Sequence, residues 1–227
     1  MNQVSREEKK FLISKEEYYK KSHQLEQVLA HDKNNGPDGY VVRSLYFDTI
    51  YDRDFFDKQD GIETRRKIRL RCYDPDSDFA LLDMKQKQGC YQMKRSLRVS
   101  REDAGRLIKG DYSPLLKYPE KFAQECYALM LCQCYRPKTI VQYHRKAYVA
   151  KENKIRITFD SRIESTESCM ELFSPHLNMN PVLDAFHVVL EVKYNGFLLE
   201  YIKRMLNGID KSELSVSKYC LARQNAY

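Results

Sequence analysis

The sequence predicts an α+β fold in which mostly antiparallel strands form one domain, with helices packed outside them. Three observations favour this class. Stretches with period-two alternation recur along the chain, capped or amphipathic stretches lie between them, and no repeat or low-complexity linker divides the 227 residues. With 42% hydrophobic residues, the chain can bury a substantial core. We therefore predict a single domain over residues 1–227.

The first half of the chain is predicted to begin with a helix. Ser14 and Glu17 have the spacing of a capping box, and the helix is expected to run to about Ala30. Ser100 and Asp103 predict the start of a second helix, which Gly110 ends. Between the two helices we predict a loop over 31–39, strands over 40–48, 64–74, 79–87 and 91–100, and a short helical turn over 51–58.

The second half is predicted to alternate helices with strands. A hairpin is expected to turn at Glu152 and Asn153, and Gly208 ends an amphipathic helix. The predicted helices cover 117–134, 197–207 and 212–223, and the predicted strands cover 138–150, 154–161 and 186–194.

The stretch RRKIRLR, residues 65–71, has one fully charged face. In a strand, Arg69 and Arg71 share a face with Arg65 and Lys67, whereas Ile68 and Leu70 lie on the opposite face. The same division recurs in KIRITFD (154–160), VVLEVKY (188–194), ALLDMKQK (80–87), YQMKRSLRV (91–99) and VQYHRKAYV (141–149), although Leu81 interrupts one of the polar rows.

Two architectures account for these charged faces. A one-layer sheet can turn them to water and pack helices behind it. A closed barrel can instead line its interior with Arg, Lys and a few carboxylates, with the helices at 14–30, 117–134 and 197–207 outside. Such crowding of like charges is unfavourable without an anionic occupant. An occupant with several negative charges, such as a polyphosphate, would stabilise the barrel.

The composition restricts the function classes. A net charge of +7 favours an anionic partner. The chain has no apolar run long enough to span a membrane, and its N-terminus lacks the apolar stretch of a signal peptide. Seven cysteines without a C-x-x-C pair argue against a zinc site or a disulfide framework and favour the cytoplasm. No glycine-rich phosphate loop is present, so side chains must bind any phosphates.

Nine short pieces follow one another along the chain in a distinctive order and spacing. They are EEKKF (7–11), SLYFDT (44–49), KIRLRCY (67–73), LDMKQK (82–87), KRSLRVS (94–100), QYHRKAY (142–148), RITFD (156–160), LEVKY (190–194) and SVSKY (215–219). Together they resemble the catalytic domain of the vacuolar transporter chaperone (VTC) polyphosphate polymerases, a family of the triphosphate tunnel metalloenzyme, or CYTH-like, superfamily. The resemblance implies a closed, eight-stranded antiparallel tunnel.

The resemblance also implies roles for individual residues. Glu191 would hold Mn²⁺ or Mg²⁺, and Tyr143 and Ser217 would donate hydroxyl groups. Two positions depart from the family. Asp83 stands where the family often has Glu, and Arg6 replaces the first Glu of the E-x-E-x-K pattern of the superfamily's hydrolases. The basic ligands for phosphate would be Lys10, Arg69, Arg71, Lys85, Lys94, Arg145, Arg156 and Lys218.

The function implied by the resemblance is transfer of the γ-phosphoryl group of ATP to a growing polyphosphate, with release of ADP. Any coupling to a membrane would need a separate partner protein. The main alternatives are a triphosphatase that hydrolyses tripolyphosphate or a nucleoside triphosphate, and a non-catalytic polyphosphate-binding subunit. The basic residues also suit a solvated surface, and Glu191 beside Lys193 suits a structural ion pair. Nucleic-acid binding predicts aromatic residues on the charged faces. Phe159 and Tyr194 lie on apolar faces, although Tyr143 does not, so we do not expect nucleic-acid binding.

Position along the strand predicts a gradient of importance among the charges of RRKIRLR. Arg65 and Lys67 are expected near a wet tunnel mouth. Arg69 and Arg71 are expected to lie deeper, because residues four to seven positions along a strand are roughly 13–23 Å further on. Arg66, on the opposite face, is expected at the surface.

Overall fold

A computed structural model describes residues 6–89, 91–209 and 217–224. These residues form an α+β fold with antiparallel strands, which confirms the predicted class. The strands are β1 (Arg6–Ser14), β2 (Ala30–His31), β3 (Tyr40–Thr49), β4 (Thr64–Cys72), β5 (Phe79–Gln88), β6 (Tyr91–Ser100), β7 (Tyr135–Val149), β8 (Arg156–Thr166), β9 (Asn180–Pro181) and β10 (His187–Asn195). The helices are α1 (Lys15–Glu26), α2 (Arg53–Gln59), α3 (Arg101–Ile108), α4 (Lys121–Cys132), α5 (Glu200–Met205) and α6 (Lys218–Gln224).

Local capping rules account for two helix starts. The Ser14 hydroxyl accepts from the Glu17 N–H at 3.1 Å, and the Glu17 carboxylate accepts from the Ser14 N–H at 2.9 Å. The Ser100 hydroxyl caps α3 by accepting from the Asp103 N–H at 3.0 Å. Both helix starts were predicted from these residues.

Other element predictions differ from the structure in their lengths. The helix predicted over 117–134 begins later, at Lys121, and the helix predicted over 197–207 is confined to α5. Of the helix predicted over 212–223, the part before Ser217 lies outside the described residues. Alternation did not predict β1, because EEKK puts charges on both faces of the strand. Only the family resemblance, through EEKKF (7–11), pointed to this segment.

Distances between Cα atoms divide the chain into two compact units. Unit 1 comprises Met1–Val41, Tyr143–Ile163 and Leu183–Val216. Unit 2 comprises Val42–Gln142, Glu164–Val182 and Ser217–Tyr227. The single domain over residues 1–227 stays a prediction.

Each unit has its own sheet order and core. Unit 1 has the order β1-β10-β8-β7, and unit 2 has β7-β3-β4-β5-β6; the short strands β2 and β9 pair with β7 and β8. The apolar strand faces build both cores, around Ile157 and Leu190 in unit 1 and around Ile68 and Leu70 in unit 2. Among the described residues, the sheet path ends at β1 in unit 1 and at β6 in unit 2, so the sheet is not strictly closed. The resemblance implied a closed barrel, and the observed sheet differs from that expectation because it is not strictly closed.

A buried carboxylate fixes the connection between β3 and α2. Asp48 accepts from the backbone N–H groups of Thr49, Asp54 and Phe55 at 2.7–2.9 Å and from the Tyr219 hydroxyl at 2.6 Å. Asp48 therefore supplies the cap of α2 and also anchors α6. In the part of the chain that the structure describes, no helix is long and apolar enough to cross a membrane.

Candidate functional site

Unit 2 carries a basic face on β4, β5 and β6. Strand register places charged residues in successive rows, about 7 Å apart at the usual strand rise. Lys85 on β5 lies directly opposite Lys67 on β4 and directly opposite Lys94 on β6. Such a row of like charges is destabilising without a counter-charge. The four rows of this basic face are Ser44–Arg71–Leu81–Arg98, Tyr46–Arg69–Asp83–Ser96, Lys67–Lys85–Lys94 and Arg65–Lys87–Gln92.

Asp83 is the centre of the basic face, and its side chain is only 3% exposed. Arg69 Nε lies 3.1 Å and Arg71 Nη2 lies 3.0 Å from Asp83 Oδ2. Lys94 Nζ lies 3.3 Å from Oδ1, to which the Ser96 hydroxyl also donates. Three of the predicted phosphate ligands are therefore brought together by one carboxylate.

The charges of the basic face shift the pKa values of its members. Burial alone would raise the pKa of Asp83, but Arg69, Arg71 and Lys94 hold it below its usual value. Partial burial and the positive charges of Arg71 and Arg69 lower the pKa of Lys94 to about 8, against the attraction of Asp83. Positive charge therefore exceeds negative charge here, and the surplus favours a bound anion.

Two buried polar atoms in one row of the basic face reinforce this conclusion. Arg71 Nε and Ser44 Oγ are buried and have no hydrogen-bond partner among the described residues. A buried donor without a partner is costly, so such groups commonly mark a ligand or an ordered water. Their positions next to each other in the row suit a phosphate oxygen as the acceptor.

Unit 1 carries two neighbouring carboxylates, Glu8 on β1 and Glu191 on β10, which we call the carboxylate pair. Lys10 Nζ lies 2.9 Å from Glu8 and 3.7 Å from Glu191, and Lys193 Nζ lies 2.9 Å from Glu191. Burial and the neighbouring Glu191 would raise the pKa of Glu8, but the charges of Lys10 and Lys193 hold it below its usual value. Burial lowers the pKa of Lys193 despite both carboxylates.

Arg145 and Arg156, the two arginines of unit 1 that were predicted to bind phosphate, both have carboxylate partners within the protein. Arg145 forks onto the buried Asp160, with Nε and Nη2 at 2.6 and 2.7 Å from its two oxygens, and this pairing raises the pKa of Arg145 despite burial. The Arg145 guanidinium also lies over the ring of Tyr143, 5.1 Å from its centroid. Arg156 Nη2 lies 3.1 Å from Asp32 and donates to the Tyr40 hydroxyl at 3.0 Å.

The carboxylate pair is chemically suited to a hard divalent cation. No group of three or more metal-ligating His, Cys, Asp or Glu side chains occurs within the described ranges. Mg²⁺, however, is commonly held by one or two carboxylates together with substrate phosphates and water. Thr158 lies opposite Glu191 in the register, and its buried hydroxyl has no hydrogen-bond partner in the described part of the chain. Glu8 and Glu191 therefore fit Mg²⁺ or Mn²⁺, whose entry would displace their lysine partners.

The last two predicted site residues begin α6. The Ser217 hydroxyl accepts from the Cys220 N–H at 3.5 Å, and Lys218 is the first helical residue. The next residue, Tyr219, stacks on Tyr46 with ring centroids 5.1 Å apart. Since the Tyr46 hydroxyl accepts from Arg69 Nη1 at 3.2 Å, α6 and the basic face share a contact through Tyr46.

One sequence expectation about this region was wrong, and several contributors were missed. Arg66 is half-buried, and its charge acts on Asp54, a carboxyl whose pKa burial raises to about 7. Arg66 is therefore not a plain surface residue. Sequence reasoning placed Asp160 on a charged face but gave it no role in the site, because its partner Arg145 lies on another strand. It treated Lys193 only as a structural ion-pair partner of Glu191 and did not foresee its proximity to Glu8.

Proton uptake on anion binding provides a test of the basic face. At pH 8.5 much of the Lys94 population is neutral in the empty protein, and a bound anion favours the ammonium form. For each tripolyphosphate bound at pH 8.5, we expect the wild type to take up more protons than Lys94→Arg, by most of one proton. Calorimetry in buffers of different ionisation enthalpy measures this difference. At pH 6.5, where Lys94 is already charged, the difference should vanish. Equal uptake by the two proteins at pH 8.5 would show that Lys94 does not meet the anion.

A family model described as the VTC domain matches residues 5–227. Curated proteins give no match. Among solved structures, the chain is similar to a Hippeastrum protein presented as an adenylyl cyclase with a dominant triphosphatase activity, with a TM-score of 0.60, 13% identity, and coverage of 96% of this chain and 95% of that one. It is also similar to a presumed adenylate cyclase from Bacillus halodurans, with a TM-score of 0.54, 14% identity, and coverage of 94% and 96%. At these identities the likeness concerns the fold alone.

Proposed function

This chain belongs to the VTC domain family, and from that premise we propose that it is a polyphosphate polymerase. The enzyme would transfer the γ-phosphoryl group of ATP to the end of an inorganic polyphosphate and release ADP. The observation that supports this most strongly is the basic face, where three cations surround one buried carboxylate and Arg71 Nε has no hydrogen-bond partner among the described residues. Such a face suits an extended anion with several charges.

The arginines and lysines of the basic face would have different tasks. Arg69 and Arg71 present planar guanidinium groups, which bind phosphate oxygens with defined geometry. Lys67, Lys85 and Lys94 would act as point charges along the phosphate chain. Phosphoryl transfer requires in-line positioning and charge neutralisation more than covalent chemistry, and these side chains can supply both.

The carboxylate pair would hold the divalent metal of the reaction. Glu191, as predicted, and Glu8 would provide oxygen ligands to Mg²⁺ or Mn²⁺, and the metal would neutralise charge on the phosphate oxygens. Lys10 and Lys193, which now neutralise Glu8 and Glu191, would then be available to bind oxygens of a metal-bound phosphate. Lys10 is the best placed of them, because it contacts both carboxylates.

No general base is required by this reaction. The terminal phosphate of the acceptor is already anionic at neutral pH, so it needs orientation and no proton abstraction. Arg145 is held by Asp160 in a two-point contact. We propose that it orients a phosphate with its remaining N–H groups and keeps a fixed position because of Asp160. Arg156, Tyr143, Ser217 and Lys218 remain proposed ligands on the strength of the resemblance.

The products formed from ATP test the proposal. The protein is incubated with ATP and Mn²⁺ or Mg²⁺, and polyphosphate, ADP and free phosphate are quantified. Long polyphosphate with a matching amount of ADP is the expected result. Free phosphate as the main product would replace the proposal with a triphosphatase, and unchanged ATP, with polyphosphate bound, would replace it with a non-catalytic binding subunit.

A further inference from the structure

One end of the basic face is aromatic. Phe79 lies two residues before Leu81 on β5 and therefore shares the face of Leu81 and Asp83. Tyr73 follows the end of β4, two residues beyond Arg71, and is 38% exposed. These two rings form a ledge of low charge density that adjoins the outermost Arg row of the basic face, the row of Arg71 and Arg98.

Arginines of the basic face stack on both rings. The Arg98 guanidinium carbon lies 3.7 Å from the centroid of the Phe79 ring, and that of Arg71 lies 5.2 Å from the centroid of the Tyr73 ring. These contacts are in the range of cation–π interactions. They orient flat side chains at the boundary between the charged rows and the ledge.

The loop that joins the two rings is tied down. The Ser77 hydroxyl donates to the Phe79 carbonyl at 3.0 Å, and Arg101 Nη1 donates to the carbonyls of Pro75 and Ser77 at 2.6 and 3.2 Å. The Arg101 guanidinium also lies over Phe173, 4.5 Å from the ring centroid. These contacts hold Phe79 and the loop that leads to it in place before any ligand binds.

We propose that Tyr73, Phe79 and the guanidinium of Arg98 form the binding site for the nucleobase of ATP. This inference rests on the proposed function and deepens it. Planar bases stack on aromatic rings and on arginine planes with little dependence on base identity. The ledge lies about 7 Å from the Arg71 row at the usual strand rise, so a base seated there leaves the nucleotide's phosphates beside Arg71 and Arg98.

The ledge distinguishes two anions that the basic face alone does not. Tripolyphosphate and the phosphates of ATP present the same oxygens to Arg69, Arg71 and Lys94. Only ATP carries a planar aromatic base, whose binding would be strengthened by stacking against Tyr73 and Phe79. The site would therefore select the phosphoryl donor over the polyphosphate at this end of the face.

Calorimetric titration with ATP and with tripolyphosphate tests the inference. Tyr73→Ala should weaken ATP binding about tenfold, within the range for loss of base–aromatic stacking, and should change tripolyphosphate binding less than about twofold. Tyr73→Phe should restore ATP binding, and Phe79→Leu should weaken it in the same selective way. Tyr91→Ala is the matched control, because Tyr91 is an exposed aromatic residue at the opposite end of the β5–β6 hairpin.

The two ligands separate this inference from the proposed function. If Tyr73→Ala weakened the binding of ATP and tripolyphosphate equally, Tyr73 would act only by holding Arg71. If its affinity for ATP were unchanged, the base would lie elsewhere. Either result overturns the base site and leaves the polymerase proposal standing. Failure of the wild type to bind either ligand would overturn the proposed function itself.

Discussion

Arg71→Ala should reduce phosphoryl transfer from ATP by about a hundredfold or more. The substitution removes a forked cation whose side chain is 12% exposed and whose Nε has no hydrogen-bond partner among the described residues. Loss of a preorganised donor from a water-poor site typically costs two to three orders of magnitude in rate. Arg69→Ala should have a similar effect. Steady-state rates with ATP and a polyphosphate acceptor are the measurement.

The stability of these variants separates binding from folding. Asp83 keeps two cationic partners when one arginine is removed, and like-charge crowding falls, so the empty protein should be as stable as the wild type or more so. Arg53→Ala, at an exposed arginine on α2, is the matched control and should keep full activity. Arg66→Ala should lower stability with little effect on phosphate affinity, because Arg66 acts on the buried Asp54. If Arg66→Ala weakened phosphate binding as much as Arg71→Ala, the assignment of faces on β4 would be wrong.

Glu191→Gln should keep the fold and lose at least about a hundredfold in activity. The change replaces a hard anionic ligand with a neutral amide of the same shape, and a metal at the phosphates provides several kcal/mol of charge stabilisation. Binding of Mn²⁺, followed by its magnetic resonance signal in the presence of tripolyphosphate, should weaken in parallel.

The matched control for this variant is Glu200→Gln, because Glu200 is an exposed glutamate of α5 in the same unit. It should retain both activity and Mn²⁺ affinity. Wild-type turnover of Glu191→Gln at saturating metal would remove Glu191 from the metal site and leave it as the ion-pair partner of Lys10 and Lys193.

Much of the fold was accessible from the sequence, because its signals are local. Alternation in RRKIRLR correctly put Ile68 and Leu70 in the core and Arg69 and Arg71 on the charged face. The capping box at Ser14 gave the start of α1. The ordered short pieces gave the family, which the match over residues 5–227 confirms.

The environment of the site depended on the tertiary structure. Nothing in the sequence near Asp83 shows that it binds Arg69, Arg71 and Lys94 together, nor that Asp160 holds Arg145. The sequence likewise did not reveal that Arg66 is half-buried beside Asp54. Alternation is a property of a single strand and indicates which face a side chain shares. Which charges become neighbours depends on the register between strands and on packing between distant segments, and these are determined only when the whole chain folds.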